Sequence, residues 1–400
     1  MRALVRTDFN VPLTDSAITD ASRITASLPT IRWLREQGCR VVLMSHLGRP
    51  KGKVTPQFSL RPIASELELQ LGIPVSFLER PGDPETVRAT KTMKRGEVAL
   101  LENTRFVDGE ESNAKETAAL FASLGDFYVN DAFGTAHRAH ASTEGVAHLL
   151  KPAVAGFLLL RELQYLGTAL EEPERPFVAV LGGAKISGKI DVIEALLPKV
   201  DRILIGGAMA CTFFRALGLE VGESLVEEDR IDMAVDLMER AGEKIVLPVG
   251  GVVGWGGERG GGSGGPGEKK VQREGKGGGD EPVEVPRYEI PRDSAILDID
   301  HLTREKFGAI IEHAKTVLWN GPMGVFERPP YDAGTIAIAE AVARATALGA
   351  TTIVAGGDSA AAIAHAGLTD EVSHVSTGGG AALEFLKKGD LPAVAALDDV

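Results

Sequence analysis

Short apolar runs rich in β-branched residues alternate along this chain with segments whose apolar positions recur at helical spacing. Arg2 to Val5, Arg40 to Met44, Val98 to Leu101 and Phe127 to Asn130 read as strands of a first half, each nearly continuously apolar and bounded by polar or turn-forming residues. Between the first two, Ile24, Leu28, Ile31 and Leu34 predict a helix with Asp20 as its N-cap and Gly38 just past its end. Ile63, Leu67 and Leu71 followed by Gly72 predict another. A second series consists of Phe177 to Leu181, Arg202 to Ile205, Lys244 to Val249, Thr316 to Trp319, Thr351 to Ala355 and His374 to Ser376. Strands alternating with helices predict parallel sheets built from βαβ units, an α/β fold. Gly156 to Leu170, rich in good helix formers and closed by Glu171-Glu172-Pro173, predicts a helix connecting the halves.

Composition changes this picture at one place. Of 47 glycines, 15 fall between Gly250 and Asp280, a window with almost no aliphatic residues. Such a stretch cannot bury enough apolar surface to offset its backbone entropy, and it far exceeds an ordinary βα connection. It is expected to be a disordered or aberrant segment, either a flexible insertion or the product of a local reading-frame error. No apolar run approaches the roughly 18 residues of a bilayer span. The N-terminus reaches Arg6 and Asp8 without a signal pattern, so a cytoplasmic chain is expected. Cys39 and Cys211 stand alone among apolar neighbours and read as reduced thiols. With 43 basic against 56 acidic residues the formal net charge is −13, which argues against nucleic acid as a partner. An anionic ligand must then be bound by local clusters.

Candidate chemistry lies directly after the strands, where open parallel sheets bind ligands. Asp8 and Asn10 follow the first strand, Ser45 to Pro50 the second, Asn103-Thr104-Arg105 another, and Asn130-Asp131 with His137-Arg138 another. Arg23, Arg49, Arg105 and Arg138, with His46 and His137, would form a cationic pocket for a small polyanion, since guanidinium matches phosphate and carboxylate oxygens bidentately. Each arginine taken singly better suits a surface carboxylate, and it is four at the same strand edge that shift the balance. In the second half Gly182-Gly183-Ala184-Lys185, Gly206-Gly207, Gly356-Gly357-Asp358 and Gly378-Gly379-Gly380 follow strands and precede helices. Backbone amides at such helix starts form anion nests, which suits a nucleotide's phosphates. Gly183 to Ile190 nearly satisfies a P-loop, but Ile190 has no hydroxyl for Mg²⁺, so only Lys185 and Lys189 are kept as phosphate binders. Asp358 reads either as a holder of nucleotide-bound Mg²⁺ or as a helix N-cap. Ligands for a permanent metal are not evident.

These strings together resemble the phosphoglycerate kinase family: Arg6 to Pro12, Ser45 to Pro50, Leu101 to Phe106, Val129 to Ser142, Leu181 to Ile190, Trp319 to Glu327, Gly356 to Ala360 and His374 to Ala381. The resemblance spans nearly the whole chain. It implies two Rossmann-like lobes, each a parallel sheet flanked by helices, joined by the connecting helix with a cleft between them. A phosphoglycerate-binding lobe would comprise 1–155 with 388–400, the connecting helix and hinge 156–171, and a nucleotide-binding lobe 172–387. The resemblance implies that Asp8, Asn10, Arg23, His46, Arg49, Arg105 and Arg138 bind 3-phosphoglycerate or 1,3-bisphosphoglycerate. Gly183, Ala184, Lys185, Lys189, Gly206, Gly207, Asn320, Pro322, Glu327, Gly356, Gly357, Asp358 and Ser359 would bind ATP or ADP, with Mg²⁺ toward Asp358. Arg23, Lys189, Gly357 and Gly379 would act on the transferred phosphoryl group in a monomeric kinase.

The residues fit that chemistry independently. A carboxylate nucleophile is already ionised at neutral pH, so charge neutralisation and alignment are needed rather than a general base. The chain departs from the family pattern in starting at the first strand without a short leader, in Ser359 for a typical threonine, and in the glycine-rich window. It departs also in Asp300, which replaces a glycine associated with the nucleotide site and whose charge would repel phosphates or crowd the base. A catalytically impaired nucleotide-binding or scaffold protein of the same fold is the alternative these departures suggest, and a P-loop NTPase a third.

Overall fold

The computed structural model describes residues 1–14, 17–255 and 282–398. The described chain forms two compact units, Met1–Leu166 with Thr377–Val400, and Gly167–Ser376. In chain order the first unit comprises β1 (Arg2–Thr7), β2 (Leu13–Thr14), β3 (Ala17–Ile18), α1 (Ser22–Glu36), β4 (Arg40–Met44), α2 (Arg61–Leu71), β5 (Val75–Leu78), α3 (Pro84–Thr92), β6 (Val98–Leu101), α4 (Lys115–Ala122), β7 (Phe127–Asp131) and β8 (Ala153–Ala155). α5 (Phe157–Glu171) then carries the chain into the second unit. That unit comprises β9 (Phe177–Leu181), α6 (Ile190–Leu196), β10 (Arg202–Ile205), α7 (Met209–Ala216), α8 (Ile231–Ala241), β11 (Ile245–Val246), β12 (Gly250–Trp255), β13 (Val283–Pro286), β14 (Ser294–Ile299), α9 (His301–Glu312), β15 (Thr316–Asn320), α10 (Ala333–Ala347), β16 (Thr351–Val354), α11 (Gly357–His365) and β17 (His374–Val375). α12 (Gly379–Lys388) and α13 (Pro392–Ala395) belong to the first unit again.

Each unit is an α/β layer structure around a six-stranded sheet, ordered β5-β6-β4-β1-β7-β8 in the first and β11-β10-β9-β15-β16-β17 in the second. All pairings within both sheets are parallel. β1 and β9 are buried along their whole length because helices cover both faces, which is why β9 reads as an unbroken apolar run and β1 as apolar from Ala3 to Val5. In the first unit Val5, Val41 and Leu43 pack with Ile24, Ile31, Ile63 and Leu67 on one face, and Leu4, Val42 and Met44 with Phe121 and Tyr128 on the other. In the second unit, Val180, Val317 and Trp319 pack with Phe307, Ile311, Ile338 and Val342. Among the described residues no helix is long and apolar enough to cross a membrane.

Local details correct several sequence expectations. α1 starts after Ala21, not at an Asp20 cap; Asp20 instead accepts the Ser22 amide at 2.8 Å, closing a turn just before the helix. The strand expected over Lys244 to Val249 is confined to Ile245–Val246, because a 3₁₀ turn occupies Gly242–Lys244. The all-parallel reading misses a second, antiparallel sheet of order β13-β12-β14 in the second unit. Gly250–Trp255, placed in the disordered or aberrant window, is a strand paired on both sides, with Val253 opposite Val283 and Ile296. Its glycines are filled from outside. A Cβ on Gly250 would lie 2.5 Å from the Asp300 carboxylate, and one on Gly254 2.6 Å from Leu297. The rest of that window, 256–280, lies outside the described residues. Asp300 is buried and caps α9, accepting the Thr303 amide at 3.1 Å, so its charge faces a helix N-terminus.

The C-terminal return also begins earlier than expected, at Thr377 rather than Lys388. α12 packs on the turn Phe133–Thr135, and a Cβ on Gly378 would meet the Phe133 ring at 2.5 Å.

Candidate active site

In the first sheet the chain runs outward from β1 through β4 and later resumes on its other side at β7, so β1 lies at the topological switch. The segments after β1, β4, β6 and β7 meet there. Asn103, wholly buried, ties two of them together: its amide donates to the carbonyls of Leu47 (2.8 Å) and Phe58 (2.9 Å), and its Oδ1 accepts the Arg105 amide at 3.0 Å. Gly48 is gripped from both sides. Its N–H donates to Asn10 Oδ1 at 2.9 Å, and its carbonyl accepts from the Arg105 guanidinium at 2.5 Å. Only glycine serves at this point, because φ is +61° and a Cβ would lie 2.4 Å from the Phe58 ring.

Arg6 stands within the buried strand β1 at 1% exposure; its Nε donates to Ser142 Oγ at 2.8 Å and its Nη2 lies 3.3 Å from His46 Nδ1. Burial, then the charges of Arg6, Arg105, Arg138 and His140, hold the His46 pKa well below the ordinary histidine value. Burial and the same arginines push His140 down to about 4, and burial with Arg138 lowers His137. The imidazoles are therefore neutral at pH 7, and the positive charge of the cluster is carried by arginine. Burial lowers even the Arg105 pKa, against the pull of Glu111.

Two of the four candidate arginines lie beside carboxylates. Arg23 donates to Asp8 at 2.8 Å, and Arg138 Nε donates to His137 at 3.0 Å. The Glu111 carboxylate stands 3.2 Å from Arg105 Nε as an ion pair, but no aligned hydrogen bond reaches that nitrogen. His137 Nδ1 is likewise buried and without a hydrogen-bond partner. Arg49 is exposed at the end of the Ser45–Pro50 loop. Two buried nitrogens of the cluster thus lack an aligned hydrogen bond while its framework is held by backbone bonds, an arrangement that suits an anion. Arg6, His140, Glu110 and Ser142 belong to it and are absent from the sequence candidates. The available signal was an arginine inside a buried strand. α12, whose first residue is Gly379, starts beside the cluster: a Cβ added to Gly380 would lie 3.9 Å from the His137 ring.

In the second sheet the chain grows from β9 to β10 and β11, then restarts on the other side at β15, so the switch lies between β9 and β15. The glycines after β9 and β10 do not form the open amide nests expected from sequence. Gly182, Gly183, Gly206 and Gly207 donate their amides to the carbonyls of Asn320, Pro322, Leu181 and Met323, at 3.0, 3.0, 2.9 and 3.0 Å. Their small size is needed for close backbone approach: a Cβ on Gly182 would lie 2.0 Å from the Pro322 carbonyl, and one on Gly206 2.3 Å from Met323 sulfur. These residues build a floor of interlocked loops.

α11 differs. Its N-cap is Gly356, at φ +100°, with no side chain to close the first-turn amides. Asp358 is not the cap; it is exposed in the first turn, and its charge reaches Lys189. Burial pushes the Lys189 ammonium down to about 8, with Asp358 opposing, and Nζ lies 3.5 Å from the Asn320 carbonyl. Asn320 is itself buried, its amide donating to Ala355 at 2.7 Å while Oδ1 has no hydrogen-bond partner. Ser359 spends its hydroxyl on the Gly321 amide at 2.6 Å. Pro322 is half-buried in the floor, whereas Ala184, Lys185 and Glu327 are exposed around it. Among the described residues there is no group of three or more His, Cys, Asp or Glu able to hold a metal ion. Cys211 is buried, its thiol pushed up to about 12 by burial.

The chain matches the family model described as phosphoglycerate kinase over residues 1–389. Curated relatives named phosphoglycerate kinase include one from Pelodictyon phaeoclathratiforme, 53% identical over 402 residues, covering 100% of this chain and 96% of the relative. Another, from Chloroflexus aurantiacus, is 54% identical over 404 residues with the same coverage. The solved phosphoglycerate kinase structures from Coxiella burnetii and Pyrococcus horikoshii superpose with TM-scores of 0.84 and 0.83 at 40% and 32% identity, each covering 99% of this chain and 95% of the other. The two switch-point sites, the interlocked glycine loops and this end-to-end likeness agree: the chain belongs to the phosphoglycerate kinase family.

Proposed function

We propose that the chain catalyses reversible phosphoryl transfer between ATP and the carboxylate of 3-phosphoglycerate, giving ADP and 1,3-bisphosphoglycerate. The observation that carries this reading is the gathering of Arg6, Arg23, Arg105 and Arg138 at the switch point of the first sheet in a protein of net charge −13. Asp8, Asn10, Arg23, His46, Arg49, Arg105 and Arg138 bind the phosphoglycerate, with Asp8 orienting Arg23 and Asn10 fixing the Gly48 backbone. The nucleotide lies on the second unit, against Gly183, Ala184, Lys185, Lys189, Gly206, Gly207, Asn320, Pro322, Glu327 and Gly356 to Ser359. Neutral His46 leaves the charge of the acceptor site to arginines, which neutralise both anionic ends of the substrate without a proton to give up.

The acceptor carboxylate is the nucleophile and needs no base. In the forward sense its oxygen forms the new bond to the γ-phosphorus as the bond to the β,γ-bridging oxygen breaks, and ADP leaves with that electron pair. Arg23, Lys189 and the amides at Gly357 and Gly379 supply positive charge to the transferred group. Mg²⁺ fits this donor set as an ion that nucleotide phosphates, water and the exposed carboxylate of Asp358 would hold. It would neutralise phosphate charge there. We take the acting species to be a cytoplasmic monomer whose α5 serves as the hinge element.

A coupled assay with ATP, Mg²⁺ and 3-phosphoglycerate tests the reading. Turnover that requires all three supports it. Folded protein without turnover, or ATP hydrolysis independent of 3-phosphoglycerate, rejects it.

A further inference from the structure

Asp298, on β14, is 2% exposed and is none of the residues assigned to ligand above. Its Oδ2 accepts the Gly334 amide, in the first turn of α10, at 2.6 Å, and its Oδ1 accepts the amide of Ile299 at 2.8 Å. Two glycines make room for it. A Cβ on Gly324 would lie 2.3 Å from Oδ1, and one on Gly334 2.2 Å from the same atom. Gly324 sits in the loop from Gly321 to Glu327, which supplies the Pro322 and Met323 carbonyls to the glycine floor. The same loop is pinned by the Val325 amide on the Leu297 carbonyl at 2.9 Å, and by Thr335 Oγ1, which accepts the Met323 amide at 3.0 Å. The carboxylate is thus wedged where strand, helix N-terminus and nucleotide loop converge.

We propose that Asp298 is a positioning residue for the nucleoside triphosphate: it holds the first turn of α10, whose Thr335 anchors the Gly321–Glu327 loop, while its carboxylate packs against Gly324 of that loop, and so fixes how Pro322 and Glu327 meet the nucleotide. This rests on the proposed function. A buried carboxylate accepting backbone amides at a helix N-terminus holds them more firmly ionised than protonated, since charge-assisted bonds are about twice as strong as neutral ones. Burial pushes the Asp298 pKa up to about 7; the Gly334 and Ile299 amides and Arg304 of α9 oppose the rise, and Asp332 at the start of α10 adds to it. The lock therefore tightens as pH rises through neutrality. Its stability sign is opposite, because an unfolded-state carboxyl ionises lower, and between the two values each step up in pH disfavours the folded form.

The test compares wild type with Asp298→Asn by KM for ATP and for 3-phosphoglycerate at about pH 6 and about pH 8, with thermal unfolding alongside. The ratio of variant to wild type cancels the nucleotide's own phosphate titration. KM for ATP is expected to rise about tenfold at the higher pH and about twofold or less at the lower, with KM for 3-phosphoglycerate unchanged and no loss of thermal stability at the higher pH. A ratio of one at both pH values, or an equal rise for both substrates, overturns the inference while leaving the proposed function intact. Absence of wild-type turnover overturns the reading beneath it. If Asp298→Asn does not fold, Thr335→Val removes the other anchor. An unchanged KM for ATP in that variant overturns the lock, and a several-fold rise independent of pH supports it.

Discussion

Single side chains here are tuned chiefly by burial. Lys189 is a case at the candidate nucleotide site, since burial brings its ammonium down to about 8 while only Asp358 opposes. A lysine whose folded value lies below its unfolded one disfavours the folded state at neutral pH, and that cost fades as pH rises past 8. Lys189→Ala is accordingly expected to lower kcat by about 10²- to 10³-fold, the loss typical of one transition-state donor, without lowering the melting temperature at pH 7. Circular dichroism melting beside the coupled assay checks both halves. In wild type, kcat/KM for ATP should fall as pH rises above about 8, because that ratio reports titration in the free enzyme. The lysine's candidacy was legible from its place after a strand. Its depressed pKa was not, nor was Arg6 as part of the cluster, because both depend on neighbours brought in from distant segments.

At the scale of elements, strand endings carry the sites and glycines set how closely the loops beyond them approach. Gly207 has φ +67°, and a Cβ there would lie 2.5 Å from the Gly183 nitrogen. Gly207→Ala should destabilise the fold by about 1–3 kcal/mol through strain and backbone overlap, and raise KM for ATP more than KM for 3-phosphoglycerate. Denaturant unfolding and substrate titrations read the two effects. The glycine excess was legible as loop chemistry, yet its meaning divided: Gly182, Gly183, Gly206 and Gly207 spend their amides on carbonyls, while Gly356 leaves α11 uncapped. Composition also hid β12, whose sparse side chains are supplied by Asp300, Ile296 and Leu297 across the sheet. Since β12 and β13 are antiparallel neighbours, replacing 256–281 by a short Asn-Gly turn should change kcat and both KM values by less than about twofold. A larger loss of kcat in the assay would assign that segment a part in catalysis.

For the whole molecule, the chain's end matters as much as its beginning. The Ala393 amide donates to the Ala136 carbonyl at 3.1 Å, Asn130 donates back to the Ala393 carbonyl at 3.3 Å, and Asp398 accepts the Ala153 amide at 2.8 Å. Leu391 and Ala393 are buried in the first unit. Truncation after Lys388 is therefore expected to weaken 3-phosphoglycerate binding at least tenfold while leaving ATP binding within about twofold, as calorimetry would show. Equal weakening of both ligands would contradict this assignment of the tail. The sequence alone determined the alternation of strand and helix, the two parallel sheets and the family, because periodicity and short motifs are local properties that survive without coordinates. Tertiary structure alone decided that Arg23 meets Asp8 and Arg105 meets Glu111, where glycine amides are spent, that Asp300 caps a helix and Asp298 packs against a loop, and that the chain rejoins the first unit at Thr377. Each of these is settled by a contact between residues far apart in sequence, whose energy depends on distance and burial rather than on residue type.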